Sequence, residues 1–238
     1  MSASSRMQCL IKRMQKAFTA ALKRVTPITH FCRHLKRKSM DKPAITQVAI
    51  NETIAKRWSG RAYDAQQDLS PEQIKALLEA ARWAPSCFGD QPWRFIVWQK
   101  SSNLNAWQSA FDCLSEGNQG WVKNAPVLML LCANSVFNHN QQPNRWSQYD
   151  CGAAAENLCL QATSMGLSAH QLGGFNDDLA RKTFQVPEQF NLMAMISVGY
   201  PGDLSKLSAE ALAREQAVRS RRPLSELVYA NTWGAGIE

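Results

Sequence analysis

The sequence predicts one α+β domain over residues 40–238, on three observations. Apolar runs of strand length, at 95–98, 127–133 and 193–198, alternate with stretches whose apolar residues recur every three or four positions. The helical stretches carry their own start and stop signals. The composition, 45% hydrophobic and 19% charged in 238 residues, belongs to a chain that buries a core rather than to a disordered one.

Taken in order, a helical pattern occupies 48–56 and a short polar link follows. The best-marked helix comes next. Ser70 is its N-cap with Gln73 as capping-box partner, Pro71 takes the first helical position, and Leu69 is placed to staple onto Ile74. Ile74, Leu77, Leu78 and Ala81 form its apolar stripe, and Pro85 forbids continuation, so the helix should end near Ala84. A strand at 95–98, a helix at 104–114 and a second strand at 127–133 lead to a long helix at 149–165. Gly152, Ala153, Ala154 and Ala155 on its early turns admit a close neighbour, and Gly166 suits its C-terminal cap. Residues 168–172 run into Gly173-Gly174. Asn176 then caps a short helix whose first turn holds Asp177 and Asp178, the favoured sign there. A strand at 193–198, a helix at 208–218 and an extended end complete the chain, with no internal repeat or linker.

The formal charge of +8 and a pI near 9.3 raise a nucleic-acid or anionic-membrane partner. The distribution of charge argues otherwise. Ten of the 27 Lys and Arg lie in residues 1–39, which contain no Asp or Glu; the remaining 17 face 19 acidic residues, a net of −2. The basic character therefore belongs to an N-terminal extension, flexible or amphipathic helical, in which Met7, Leu10, Ile11, Met14, Phe18, Leu22 and Val25 recur at helical spacing. Such a segment suits weak contact with a membrane surface or organelle targeting. It also suits an upstream extension with no role in the fold, because Met40 opens a second start where the composition changes, and dispensability for chemistry is the expectation adopted. No specific nucleic-acid partner is expected.

The seven cysteines form no CxxC pair, and His30, His34, His139 and His170 share no metal-ligand spacing, so neither a disulfide framework nor a metal site is implied. The longest apolar run, 126–133, falls far short of the roughly 20 residues that cross a bilayer. The expectation is a soluble protein of a reducing, cytoplasmic compartment.

Three clusters exceed what packing needs. Arg57, Trp58, Ser59, Gly60 and Arg61 place two guanidinium groups and a hydroxyl within five residues, suited to phosphate oxygens or the carbonyl edge of a ring. Pro85, Ser86, Cys87, Gly89, Asp90 and Gln91 set hydrogen-bonding and backbone-exposing positions at a helix-to-strand connection. Gly173-Gly174 lets backbone N–H groups meet a flat ligand.

In this order the clusters resemble the FMN-dependent nitroreductase family over nearly all of residues 47–238. The Arg-x-Ser-x-Arg/Lys element is matched by Arg57, Ser59 and Arg61. The capped helix running into a Gln-Pro-Trp segment is matched by LLEAARWAPS and SCFGDQPW, the Gly-rich segment by HQLGGFN, and the closing basic element by RSRRPLSELV. The resemblance implies a central mixed sheet flanked by helices, in a homodimer with FMN at the subunit interface. Arg57, Arg219 and Arg221 would hold the FMN phosphate. Ser59 and Arg61, beside Trp58, would reach the polar edge of the ring, residues 85–91 would line one side, and Gly173 and Gly174 would lie near the reactive nitrogen. Two departures stand out. Gly89 occupies a position where many relatives have Asn, leaving the pyrimidine edge to Asp90 or a backbone group, and Gly173 stands where some members place a Glu.

The implied activity passes electrons from NAD(P)H through FMN to a nitroaromatic, quinone or similar small acceptor by a ping-pong route, with no side chain acting as general acid or base. The same fold also hosts flavin sequestration without turnover, reductive dehalogenation and breakdown of the flavin itself, so these stay open as alternatives. Cys87 and His170 are expected to be structural. Trp93, Trp107, Trp121, Trp146 and Trp233 are expected in the core or at the dimer interface.

Overall fold

The computed structural model describes residues 42–236, so the basic extension at 1–39 lies outside the described residues. In chain order the elements are α1 (Glu52–Lys56), α2 (Pro71–Arg82), β1 (Trp93–Gln99), α3 (Leu104–Asp112), α4 (Glu116–Val122), β2 (Val127–Asn134) and α5 (Ser147–Ser164). They continue with β3 (Ser168–Leu172), α6 (Asp177–Phe184), β4 (Phe190–Gly199) and α7 (Ala209–Gln216). The fold is α+β, a sheet flanked by helices.

The four strands run in the order β1-β2-β4-β3. Every pairing among them is antiparallel, so the mixed character implied by the resemblance is absent from these four strands. Side-chain alternation divides the core into two layers. Val127, Met129, Leu131 and Ala133 of β2 pack with Leu77 and Ala81 of α2 and with the buried face of α5. Leu128, Leu130 and Cys132 turn the other way, toward Trp107 of α3, Trp121 and Val122 of α4 and Ala180 of α6. Both faces of β2 are thus covered, which is why it reads as an unbroken apolar run.

Local signals explain most elements. The capping box on α2 forms in both directions, Ser70 Oγ taking the N–H of Gln73 and Gln73 Oε1 taking the N–H of Ser70. Gly166 follows α5 with a φ of +70°, the conformation a glycine cap supplies.

Two elements depart from expectation. α1 begins at Glu52 rather than near residue 48, because Asn51 caps it and the preceding Ile45, Val48 and Ile50 are exposed, with no core to reward a helix there. α4 was not expected at all: Gly117 and Gly120 disfavour a helix locally, and burial of Trp121 and Val122 overrides that propensity.

The link from the Arg57–Arg61 stretch into the core is backbone-tight. Gly202 N donates to Ala62 O at 2.9 Å and Asp64 N to Tyr200 O at 2.9 Å. A Cβ at Gly202 would meet the Tyr63 carbonyl at 2.3 Å, so only glycine permits this approach. The register of residues 57–61 is thereby tied to the end of β4.

Candidate functional site

Arg57 lies between α1 and the middle of α5. Its Nη1 donates to Ser59 Oγ at 3.1 Å, and its Nε stands 3.5 Å from Glu156 of α5. Trp58 donates its indole N–H to Glu215 Oε2 at 3.0 Å, while Arg61 Nη1 reaches Oε1 of the same carboxylate at 3.3 Å. Gly60 sits so close to β3 that a Cβ would lie 2.8 Å from Ser168 Oγ.

The C-terminal basic element returns to this place. Arg219 Nη1 donates to Lys42 O at 2.6 Å and Ala55 O at 2.9 Å, pinning residues 177 and 164 positions earlier. The Trp58 ring carries two cations, Lys42 Nζ at 3.9 Å from its centroid and Arg219 Cζ at 5.5 Å. Burial, and after it the charges of Arg57 and Arg221, hold Arg219 below the ordinary arginine range. Three guanidinium groups from the two ends of the fold therefore press on one another. Arg221 itself is exposed and donates to the Ser220 carbonyl at 2.8 Å. Of these cations Arg57 pairs with Glu156 and Arg61 with Glu215, while Lys42 and Arg219 flank the Trp58 ring. This donor set fits an anion rich in acceptor oxygens, as a phosphate monoester is.

Gly173 is open, with nothing within 4 Å of a notional Cβ, whereas Gly174 is crowded by Ser115 and Asn118 at 2.8 Å. Gly174 O is occupied by Ser115 N at 3.0 Å and Asn118 Nδ2 at 2.9 Å. Ser115 and Asn118 also line a polar cleft of about 280 Å³ together with Arg61, Trp121, Ser208 and Arg214. The glycine pair is thus connected to Arg61 through the α4 segment.

The segment at 85–91 forms a short 3-10 turn, Cys87–Gly89. It meets α5 at Asp150, whereas Arg57 meets α5 at Glu156, roughly 9 Å further along the axis at about 1.5 Å per residue. Asp90 is not available to a ring edge. Its side chain is 3% exposed, and its carboxylate accepts from Asn138 N at 2.9 Å and Asn138 Nδ2 at 3.2 Å. Ser86 Oγ likewise accepts Gln91 N at 3.0 Å, closing the turn on itself. Pro85 continues from α2, and Cys87 contributes its backbone N–H while its thiol is free.

Glu156, Glu215, Asp150 and Asn118 were missed from sequence because each partners a residue dozens of positions away; an acidic residue in the first turn of a helix was the one local sign at Asp150. His170 has a structural place, its Nδ1 3.2 Å from Gly60 O and its ring 4.6 Å from that of Trp121. Burial lowers it to about 4, so it is neutral at neutral pH. Trp93, Trp107 and Trp121 are core residues, but Trp146 and Trp233 are exposed in this chain.

An antiparallel sheet between helical layers, with a basic cluster assembled from residues 42–61 and the segment that follows α7, defines the protein as α+β. Comparison places it more closely. The family model described as "Nitroreductase family" matches residues 54–200, and the chain belongs to that family. It is 32% identical over 154 residues to an Archaeoglobus fulgidus protein provisionally named NADH dehydrogenase/NAD(P)H nitroreductase, covering 63% of this chain and 84% of that one. A solved structure described as an oxidoreductase containing FMN is 30% identical, with a TM-score of 0.75 over 80% of this chain and 96% of that one. A second, from Desulfovibrio desulfuricans and described as a nitroreductase in complex with FMN, is 26% identical with a TM-score of 0.57, covering 76% of this chain and 95% of that one. Among the described residues no helix is long and apolar enough to cross a membrane.

Proposed function

We propose that this chain is an FMN-dependent oxidoreductase that passes electrons from NAD(P)H to a small acceptor, a nitroaromatic or quinone, in a ping-pong sequence. The observation that carries the proposal is the return of the C-terminal basic element to the Arg57–Arg61 stretch, where Arg219 donates to Lys42 O and Ala55 O and lies 5.5 Å from the Trp58 ring centroid. The names of the Archaeoglobus and Desulfovibrio relatives support the cofactor and the reductant.

FMN, when bound, supplies a two-electron carrier that exchanges hydride with a nicotinamide. The chain supplies the rest. Arg57, Arg219 and Arg221 hold the phosphate, with Arg219 also bracing residues 42 and 55. Arg61, with Ser59 and Trp58 beside it, meets the polar edge of the ring, where a fixed positive charge favours the anionic reduced form. Gly173 offers open backbone at the reactive centre. The turn at 85–91 contributes shape and backbone groups through Pro85, Ser86, Cys87, Gly89 and Gln91, and not the Asp90 carboxylate. No side chain is assigned as general acid or base. The flavin-binding unit is residues 40–238, working as a homodimer with FMN at the subunit interface, and the 1–39 extension is dispensable for chemistry.

The test is the visible spectrum of the purified full chain, then anaerobic addition of NADH and of NADPH. The expected result is a flavin spectrum that bleaches with a nicotinamide and returns on adding a nitroaromatic. A colourless chain that takes up no added FMN overturns the proposal. A yellow chain that neither nicotinamide bleaches makes it a flavin-sequestering protein instead.

A further inference from the structure

Glu215 lies in α7, its side chain 4% exposed, 154 positions from Arg61. One oxygen accepts from Arg61 at 3.3 Å, the other from the Trp58 indole at 3.0 Å, and its main-chain carbonyl accepts from the Lys42 ammonium. A carboxylate this far from water is tolerated only where charge and hydrogen bonds meet it. The contact with Arg61 uses one of five guanidinium N–H groups, so most of the fork remains for another acceptor.

The opposite side of Arg61 is also defined. Its guanidinium lies 5.7 Å from the centroid of Trp121, whose ring packs on His170, and His170 is anchored to the Gly60 carbonyl. His170 carries no charge at neutral pH. Among the ion pairs of the described residues, Arg61 makes one, with Glu215. The carboxylate that pairs with Arg61 is therefore supplied by α7.

We infer that Glu215 is a positioning residue for Arg61, aiming the guanidinium and offsetting its charge, and so sets how strongly the site prefers reduced over oxidised FMN. The inference rests on the assignment of Arg61 to the ring edge. Glu215→Gln keeps the shape and an acceptor for Trp58 while removing the charge. With the full chain loaded with FMN, the ratio of affinities for reduced and oxidised FMN should rise about tenfold, a rise of about 30 mV in the midpoint of a two-electron couple. Arg61→Gln should move the ratio the opposite way. A merely structural role would lower the melting temperature and leave the ratio alone.

A folded, flavin-bound Glu215→Gln chain with an unchanged ratio overturns the inference by itself, while a wild-type chain that binds no FMN overturns the flavin assignment and this inference with it. Should Glu215→Gln fail to fold, Glu215→Asp decides. It keeps the charge but withdraws the carboxylate by one methylene, so the guanidinium it aims shifts and the ratio of affinities should change severalfold; a wild-type ratio in that variant also overturns the inference.

Discussion

The carboxylate of Asp150 accepts the backbone N–H of Cys87 at 3.0 Å, tying the first turn of α5 to a turn 63 positions earlier. That turn is strained. Phe88, Gly89 and Gln91 have φ values of 54°, 65° and 50°, and two of the three carry a Cβ that disfavours the left-handed region. Such a backbone persists only when its surroundings over-determine it, and here Asp150, the Ser86 hydroxyl and the Asp90–Asn138 pair do so from three sides.

Asp150→Ala should therefore destabilise the fold by about 1–3 kcal/mol, the cost of leaving a half-buried donor unpaired next to strained backbone. Asp150→Asn should lose less, because its amide oxygen still accepts the Cys87 N–H. Thermal denaturation of the two variants checks this, and equal losses would show that charge rather than the hydrogen bond anchors the turn.

His170 gives a pH signature. Its folded pKa, about 4, lies below the ordinary histidine value of 6.5, so the unfolded chain binds the proton more readily. Stability from this group is fully present above about pH 6.5, falls as pH drops through the window to about 4, and changes no further below that. The full effect is roughly 3 kcal/mol. Denaturant midpoints measured from pH 7 to 4 should fall more steeply in the wild type than in His170→Phe, and parallel curves would remove His170 as the cause.

Arg57→Ala combined with Arg221→Ala should give a folded but largely colourless protein, since both remove charge from the cluster around Arg219 while leaving the Arg219 bonds to Lys42 and Ala55 intact. Bound flavin is read from absorbance and folding from circular dichroism. Full yellow occupancy in the double variant would locate the phosphate elsewhere.

A chain starting at Met40 should keep the kinetic constants of the full chain with NAD(P)H and a nitroaromatic, because every proposed site residue follows Met40 and the acid-free basic stretch precedes it. It should also lose salt-sensitive adsorption to anionic lipid or nucleic acid. An inactive Met40 chain that still binds FMN would give the extension a part in the substrate pocket.

Local chemistry was enough for the elements whose information is local. Ser70, Pro71 and Gln73 specify the start of α2 because capping needs only neighbours within three residues, and 127–133 declares a strand covered on both faces by being wholly apolar. The arginines and the glycine pair stood out as candidates because their types and order resemble the family pattern. What packing decided lies between distant positions. Whether Gly117 and Gly120 sit in a helix depends on Trp121 finding a core, and whether Asp90 is free depends on Asn138 reaching it. Glu215 is one of two acids in an ordinary amphipathic helix until α7 folds against residues 58 and 61. A carboxylate's role is set by the charge that burial forces beside it, and that neighbour is chosen by the fold rather than by the chain around it.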